Sequence, residues 1–334
     1  MPMPHVSPVH VFGPVTSSRL GRSLGLDLLG EKICSFDCLY CEVKPTTRLT
    51  LDRREWVPTA QVLDELRQWR DAGHVPPDVI TLGGSGEPTL HRGLEAIISG
   101  CKTLFPGTPV AVLTNSSLMH LPEVRRELLA ADLVLPSMDT LIEAEYQRLN
   151  RPHHQVDLSR MARGLLDFRA AFPGRLYLEI LLSKGSNDSP ANLTALQEYV
   201  ARLRPDRVDV VTLTRPGAHP EAAAVDRETL ARWREALTAN MPATLPVQAP
   251  HTPQPCYAQA PVAPDTAPPD PGALARAVLA SLSRRPQTLP QLAQALQAPA
   301  AAVQQALEKL QQSGHIQHRE SKTDDSSEHF FSAV

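Results

Sequence analysis

Cys34, Cys38 and Cys41 form a Cys-x3-Cys-x2-Cys loop, with Tyr40 immediately before the last cysteine. Three thiolates on so short a loop can hold three irons of a [4Fe-4S] cube, which ordinarily has four cysteine ligands, and leave the fourth iron bare. A bare iron is a place for a substrate or cofactor. Structural zinc is the competing reading, and it asks for a fourth Cys or His to close a tetrahedron, usually in a second closely spaced pair. His10 and His91 are the nearest candidates, and neither has that spacing. Two cysteines are left over. Cys101 lies in an apolar helical pattern and reads as a small core residue, while Cys256 lies among prolines and reads as a free thiol; ligation of a second cluster is the alternative for both.

The surroundings of the loop resemble a known family. Val11-Phe12-Gly13-Pro14, the stretch Ser18 to Gly25, and Ile33-Cys34-Ser35-Phe36-Asp37-Cys38-Leu39-Tyr40-Cys41-Glu42 resemble the radical S-adenosylmethionine (radical SAM) enzymes. Within that family they are most similar to the subgroup related to wyosine-type tRNA-modifying synthases, over roughly residues 10 to 240. The resemblance implies that Cys34, Cys38 and Cys41 ligate the cluster and that the amino and carboxylate groups of S-adenosylmethionine chelate the open iron. It also implies a reductant such as ferredoxin or flavodoxin, whose electron cleaves the sulfonium to methionine and a 5′-deoxyadenosyl radical.

A second informative segment, Thr81-Leu82-Gly83-Gly84-Ser85-Gly86-Glu87-Pro88-Thr89, resembles the Gly-Gly-Glu-Pro motif of the same family, with Ser85 and Gly86 inserted or substituted. Glycines let backbone approach a ligand closely, and Glu87 is a carboxylate suited to accept a hydrogen bond from the cofactor's ammonium; alone, the segment would read as a tight turn after a strand. Gly83, Gly84, Gly86, Glu87 and Pro88 are therefore candidate cofactor contacts. So is Tyr40, against the adenine or as a shield for the cluster. Thr114 and Asn115 end one expected strand and Ser137 another, where polar side chains would face the cofactor's ribose and carboxylate, or cap the following helix. Lys184 is the candidate catalytic residue, meeting a substrate carboxylate or forming a Schiff base, with a solvated lysine as the alternative. Arg215 is a candidate anion contact, and Arg19, Arg22, Arg151, His153 and His154 are basic residues expected near the mouth of the site or simply solvated.

These groups need a scaffold, and the sequence describes one. Short apolar runs at Leu24 to Leu29, Val79 to Leu82, Pro109 to Leu113, Leu133 to Pro136, Leu176 to Leu182 and Val208 to Leu213 alternate with helical patterns. The helical patterns run Thr59 to Asp71, Leu94 to Leu104, Pro122 to Ala130, Leu158 to Phe172, Ala191 to Leu203 and Arg227 to Asn240. Six such units point to an α/β fold, a partial (β/α)6 barrel of the TIM type, with its site at the carboxyl ends of the strands. Residues 1–240 would form this core. From Met241 to Pro271 there are ten prolines, which predicts a stiff linker. Residues 272–334 show three helical patterns, Leu274 to Leu282, Leu289 to Leu296 and Ala300 to Ser313, and then a polar hairpin-like run: a small winged-helix-like domain. Its third helix carries only one cation, Lys309, and the domain is nearly neutral, which favours peptide binding or packing over reading nucleic acid.

Bulk properties set limits. With 334 residues, 42% of them apolar, the chain can bury a sizeable core; a net charge of −3 gives no general attraction for nucleic acid. No charged and apolar leader opens the sequence and no run of 18 apolar residues occurs, so a soluble cytoplasmic protein with no membrane partner is expected. Three readings of function stand: radical modification of a nucleoside, such as one in tRNA; radical modification of a peptide or protein bound by the C-terminal domain; and an Fe-S DNA-binding regulator. The wyosine-type relatives carry further cysteines upstream for a second cluster, and here none precedes Cys34.

Overall fold

The computed structural model describes residues 10–17, 19–239, 271–282, 286–296, 298–323 and 326–334. Its first elements are an edge hairpin, β1 (Val11–Ser17) antiparallel to β2 (Gly21–Leu26). Two short parallel strands, β3 (Ile33–Cys34) and β4 (Arg48–Leu49), then bracket the cysteine loop. Strands and helices follow as α1 (Thr59–Asp71), β5 (Val79–Leu82), α2 (Leu94–Leu104), β6 (Val110–Thr114), α3 (Pro122–Leu128), β7 (Leu133–Pro136) and α4 (Glu143–Asn150). After these come α5 (Leu158–Ala171), β8 (Arg175–Leu182), α6 (Pro190–Leu203), β9 (Arg207–Thr212) and α7 (Arg227–Thr238). The sheet order is β1-β2-β5-β6-β7-β8-β9, parallel throughout from β2 to β9. This is the expected α/β architecture, consistent with a partial barrel.

Period-two alternation sorts the strand residues onto two faces. Ile80, Val112, Val134, Leu178 and Ile180 pack in the main core with helix residues such as Leu66, Ile97 and Phe168. The opposite face holds a smaller apolar group of Val79, Ala111, Leu133 and Leu135 with Tyr177 packed against it. Along β8 and β9 that inner face becomes charged, with Glu179 and Asp209 opposite each other in register. Arg207 lies 2.7 Å from Asp209 and stacks 3.9 Å above the Tyr177 ring. Arg19, from the turn between β1 and β2, pairs with Glu179.

The structure departs from the sequence reading in three places. The first parallel strand, expected at Leu24 to Leu29, is Gly21–Leu26, because its polar first half is paired by β1. β1 itself was not anticipated: it contains Gly13-Pro14 and a bulge between Phe12 and Val15, so its sequence reads as a turn. Nor was α4, whose buried positions include Glu145 and Asn150 beside Tyr146 and Leu149 and so draw no apolar stripe.

Beyond α7, the expected linker, 241–271, lies outside the described residues, as does Cys256, except for Pro271, which opens the next helix because proline is tolerated in a first helical turn. The C-terminal segment forms α8 (Pro271–Leu282), α9 (Leu289–Ala295), α10 (Ala300–Gln312) and the antiparallel hairpin β10 (Ile316–Thr323) with β11 (Ser326–Ala333). It has an apolar core of its own, centred on Val278, Leu292, Val303 and Leu307. Among the described residues no helix is long and apolar enough to cross a membrane.

Candidate functional site

The cysteine loop is tied down on both sides. The Asp37 N–H donates to the Asn150 carbonyl at 3.1 Å and the Leu39 N–H to the Leu149 carbonyl at 2.9 Å, so the end of α4 carries the loop. Across the loop, the His219 N–H donates to the Leu39 carbonyl at 3.1 Å. A Cβ on Gly217 would lie 2.7 Å from that same carbonyl oxygen, which is why glycine stands there. Asp37 pairs with Arg151 at 3.2 Å and lies 3.3 Å from His219 Nε2, and Glu42 pairs with Arg215 at 3.0 Å. Arg215 is thus spent on the loop. Arg151 and His153 also stay beside it, the latter through its N–H to the Ser35 carbonyl at 2.8 Å. Arg22 does not: it pairs with Asp78 at 3.4 Å, at the amino ends of the strands, opposite the cysteines. Arg19 lies on the inner face rather than at the mouth.

All three loop thiols are free, with Cys34 buried and Cys38 and Cys41 half-buried. Burial pushes the Cys34 and Cys38 thiols above their ordinary values, and the Lys32 cation works against this at Cys34. Lys32 itself is only 5% exposed and points its ammonium at Cys41 Sγ, 3.1 Å away. Burial alone would lower its pKa, but Cys41, Cys34 and Cys38 together outweigh that and hold it above the ordinary lysine value. The one sulfur this buried cation touches is that of Cys41. Among the described residues no three His, Cys, Asp or Glu side chains are grouped as ligands of a single metal ion. A cube does not need such a group, since each cysteine takes a different iron.

Gly86 and Glu87 dock directly on β3. The Glu87 N–H donates to the Ile33 carbonyl at 3.2 Å, and a Cβ on Gly86 would fall 1.7 Å from that oxygen. Gly84 is tight against Asp27, with 3.1 Å from a built Cβ, and Gly83 meets only an ordinary contact with Leu113 at 3.4 Å. Pro88 is buried at the start of a 3-10 turn, Pro88–Leu90, that Glu87 caps. The Glu87 carboxylate is 1% exposed. Its Oε1 accepts from the Thr89 N–H at 3.0 Å, Thr89 Oγ1 at 2.6 Å and Thr114 Oγ1 at 2.8 Å; its Oε2 accepts from the Asn115 N–H at 2.6 Å. Burial raises its pKa against these donors. The expected cofactor carboxylate thus stitches the glycine loop to the end of β6, with only Oε2 retaining a lone pair for another donor.

A small cavity next to the loop is lined by Phe36, Tyr40, Asn115, Ser137, Asp139 and Asn150, among others. Tyr40 Oη donates to Asp139 Oδ2 at 2.5 Å, and Asn150 Nδ2 donates to the same oxygen at 2.9 Å. Burial raises the Asp139 carboxyl, with the Tyr40, Leu181 and Asn150 donors opposing. Ser137 is half-buried in this wall, its N–H held by the Thr114 carbonyl at 2.8 Å. Cys34, Cys38, Cys41, Tyr40, Gly86, Glu87, Thr114, Asn115 and Ser137 are thus brought together. Lys184 is not: it is exposed, does not line the cavity, and donates its backbone N–H to the Ala223 carbonyl at 2.9 Å. Lys32 and Asn150 are the residues that sequence reasoning missed. A lysine two places before the first cysteine was a visible signal; Asn150, 112 positions from Cys38, was not.

A family model described as the Radical SAM superfamily matches residues 32–197. A Brachyspira hyodysenteriae protein called GTPase Obg is 36% identical over 69% of this chain, which spans 34% of that relative's length. A UPF0026 protein of Helicobacter pylori is 32% identical, over 72% of this chain and 78% of the relative. The chain belongs to the UPF0026 family. In this UPF0026 protein the Radical SAM superfamily domain takes in the three cysteines and the Gly83 to Pro88 loop. Enzymes of that superfamily use a [4Fe-4S] cluster and S-adenosylmethionine, the two cofactors expected above. A solved radical SAM methyltransferase from Sphaerobacter thermophilus superposes with a TM-score of 0.48 at 21% identity, covering 67% of this chain and 65% of that one.

Proposed function

We propose that this UPF0026 protein is a radical SAM enzyme whose cluster is held by Cys34, Cys38 and Cys41. The docking of Gly86 and Glu87 onto the strand that presents Cys34 carries the reading: a cofactor loop and a ligand loop share one wall. A protein that only sensed oxidants would have no use for that second loop, which weighs against a DNA-binding regulator. When bound, the cluster supplies the electron that splits S-adenosylmethionine to methionine and a 5′-deoxyadenosyl radical. The chain's own residues bind and orient. Gly83 and Gly84 offer close-approach backbone, Glu87 Oε2 offers an acceptor to the ammonium, and Asn115 and Ser137 present polar groups at the cavity. Tyr40, held by Asp139, closes the wall between cavity and cluster. Exposure of Lys184 favours its reading as a solvated lysine.

For the substrate we favour a nucleoside in RNA, on the resemblance to wyosine-type synthases and on the exposed Arg151 guanidinium beside the loop. A peptide substrate is the second reading, favoured by one observation: the only cation on α10 is Lys309, so the C-terminal unit offers phosphates little. In both readings residues 1–240 form the catalytic core, 241–271 a linker and 272–334 a winged-helix-like module. The test is anaerobic incubation of reconstituted protein with dithionite and S-adenosylmethionine, measuring 5′-deoxyadenosine. Release is expected, and its absence from cluster-loaded protein would overturn the enzyme reading; RNA recovered with the purified protein in a salt-sensitive complex would favour the nucleoside over the peptide.

A further inference from the structure

Each loop cysteine has one side-chain N–H donor, and the donors come from three separate parts of the chain. Lys32 Nζ lies 3.1 Å from Cys41 Sγ, Asn115 Nδ2 3.5 Å from Cys34 Sγ, and Asn150 Nδ2 3.6 Å from Cys38 Sγ. The two amides cannot be turned over. Asn115 Oδ1 accepts from the Ser117 N–H at 3.0 Å, and its Nδ2 also donates to Ser35 Oγ at 2.9 Å, so the amino group must face the sulfur. Asn150 sets one hydrogen on the Asp139 carboxylate at 2.9 Å, leaving the other for Cys38 and Tyr40 Oη. Lys32 is 5% exposed, with its Nζ against Cys41 Sγ. A buried ammonium without an opposing charge is costly, and neutral thiols supply none. Three iron-bound thiolates would.

We propose that Lys32, Asn115 and Asn150 are positioning residues that hold one donor against each cysteine sulfur of the cluster and so raise its reduction potential, Lys32 most strongly. Reduction would add negative charge to the cluster, strengthening every N–H···S bond, and would be favoured by a buried cation fixed at hydrogen-bond distance. The potential is thereby brought within reach of a biological reductant. This inference rests on the cluster reading above, and one experiment separates the two.

Full-length wild type, K32M, K32Q and K32R are reconstituted anaerobically, assayed for iron and sulfide, and titrated by EPR-monitored reduction without S-adenosylmethionine. The expected midpoint potentials fall in the order wild type and K32R, then K32Q, then K32M, with K32M the most negative and the least reduced at a fixed dithionite concentration. Should K32M fail to load, K32Q carries the comparison, since it keeps an N–H and removes only the charge. Loaded K32M or K32Q with the wild-type potential overturns the proposal while leaving the cluster reading intact. Wild-type protein that binds no cluster overturns that reading instead, and the proposal with it.

Discussion

Cysteine chemistry in this chain divides by environment. Cys34, Cys38 and Cys41 lie within the field of one buried cation, which touches Cys41, whereas burial alone pushes Cys101, fully enclosed in α2, up to about 12. Cys34→Ser, Cys38→Ser and Cys41→Ser should each lose most bound iron and drop 5′-deoxyadenosine release to background, while Cys101→Ser keeps both; iron analysis and chromatography decide. Gly86→Ala should be nearly as damaging for a different reason. Its methyl would press on the Ile33 backbone carbonyl, which cannot swing aside as a side chain would, so a loss of about 1–3 kcal/mol in chemical denaturation and reduced iron loading are expected. The ligands and the glycine loop were legible because spacing along the chain encodes them. The groups that orient them were not: Asn150 reaches Cys38 and Asp139 reaches Tyr40 only through tertiary contact, which no local pattern records.

At the level of elements, six strands and six helices could be read from period-two and period-3.6 patterns, and Thr59–Asp71, Val79–Leu82, Leu94–Leu104 and Leu133–Pro136 lie where those patterns placed them. What escaped were the pieces whose local propensity is overridden by partners. α4 is short, with buried polar residues, yet its last turn holds the cysteine loop. Leu149→Ala, at a fully buried position, should cost about 2–5 kcal/mol in urea denaturation and weaken iron retention as the loop loosens. The turn before α2 carries its own pH sensitivity. Buried His91 accepts the Gly93 N–H on Nδ1 at 3.0 Å and its Nε2 lies 2.7 Å from the Val57 carbonyl, and burial depresses its pKa below the ordinary 6.5. The unfolded chain takes up this proton first, so the stability it contributes is complete above pH 6.5 and falls as pH drops toward the depressed folded value. Thermal melts of apo-protein at two pH values flanking 6.5 should show a larger loss on acidification for wild type than for His91→Gln.

Across the whole molecule, the inner face of the sheet is held by charge as well as by apolar packing. Arg19 links the β1–β2 hairpin to Glu179 on β8, and Arg207 with Asp209 forms a pair whose side chains are 9% and 7% exposed. Asp209→Ala leaves the Arg207 guanidinium buried without its partner and should cost about 3–5 kcal/mol, whereas the double change Arg207→Met with Asp209→Leu should cost much less. Equilibrium denaturation of the three proteins checks the ordering. The composition gave an overall charge near neutrality and no hint that opposite charges face each other inside the sheet, because pairing between β8 and β9 depends on register, a property of the fold.

The cysteine loop is clasped from two directions, by the end of α4 through Asp37 and Leu39 and by the Gly217–His219 segment beyond β9. With the loop fastened by protein groups alone, protein stripped of metal by air should show the same far-ultraviolet dichroism as the loaded form and take iron and sulfide back without refolding. On the radical SAM reading proposed above, such fastening would turn oxidative loss of the cluster into a repairable injury.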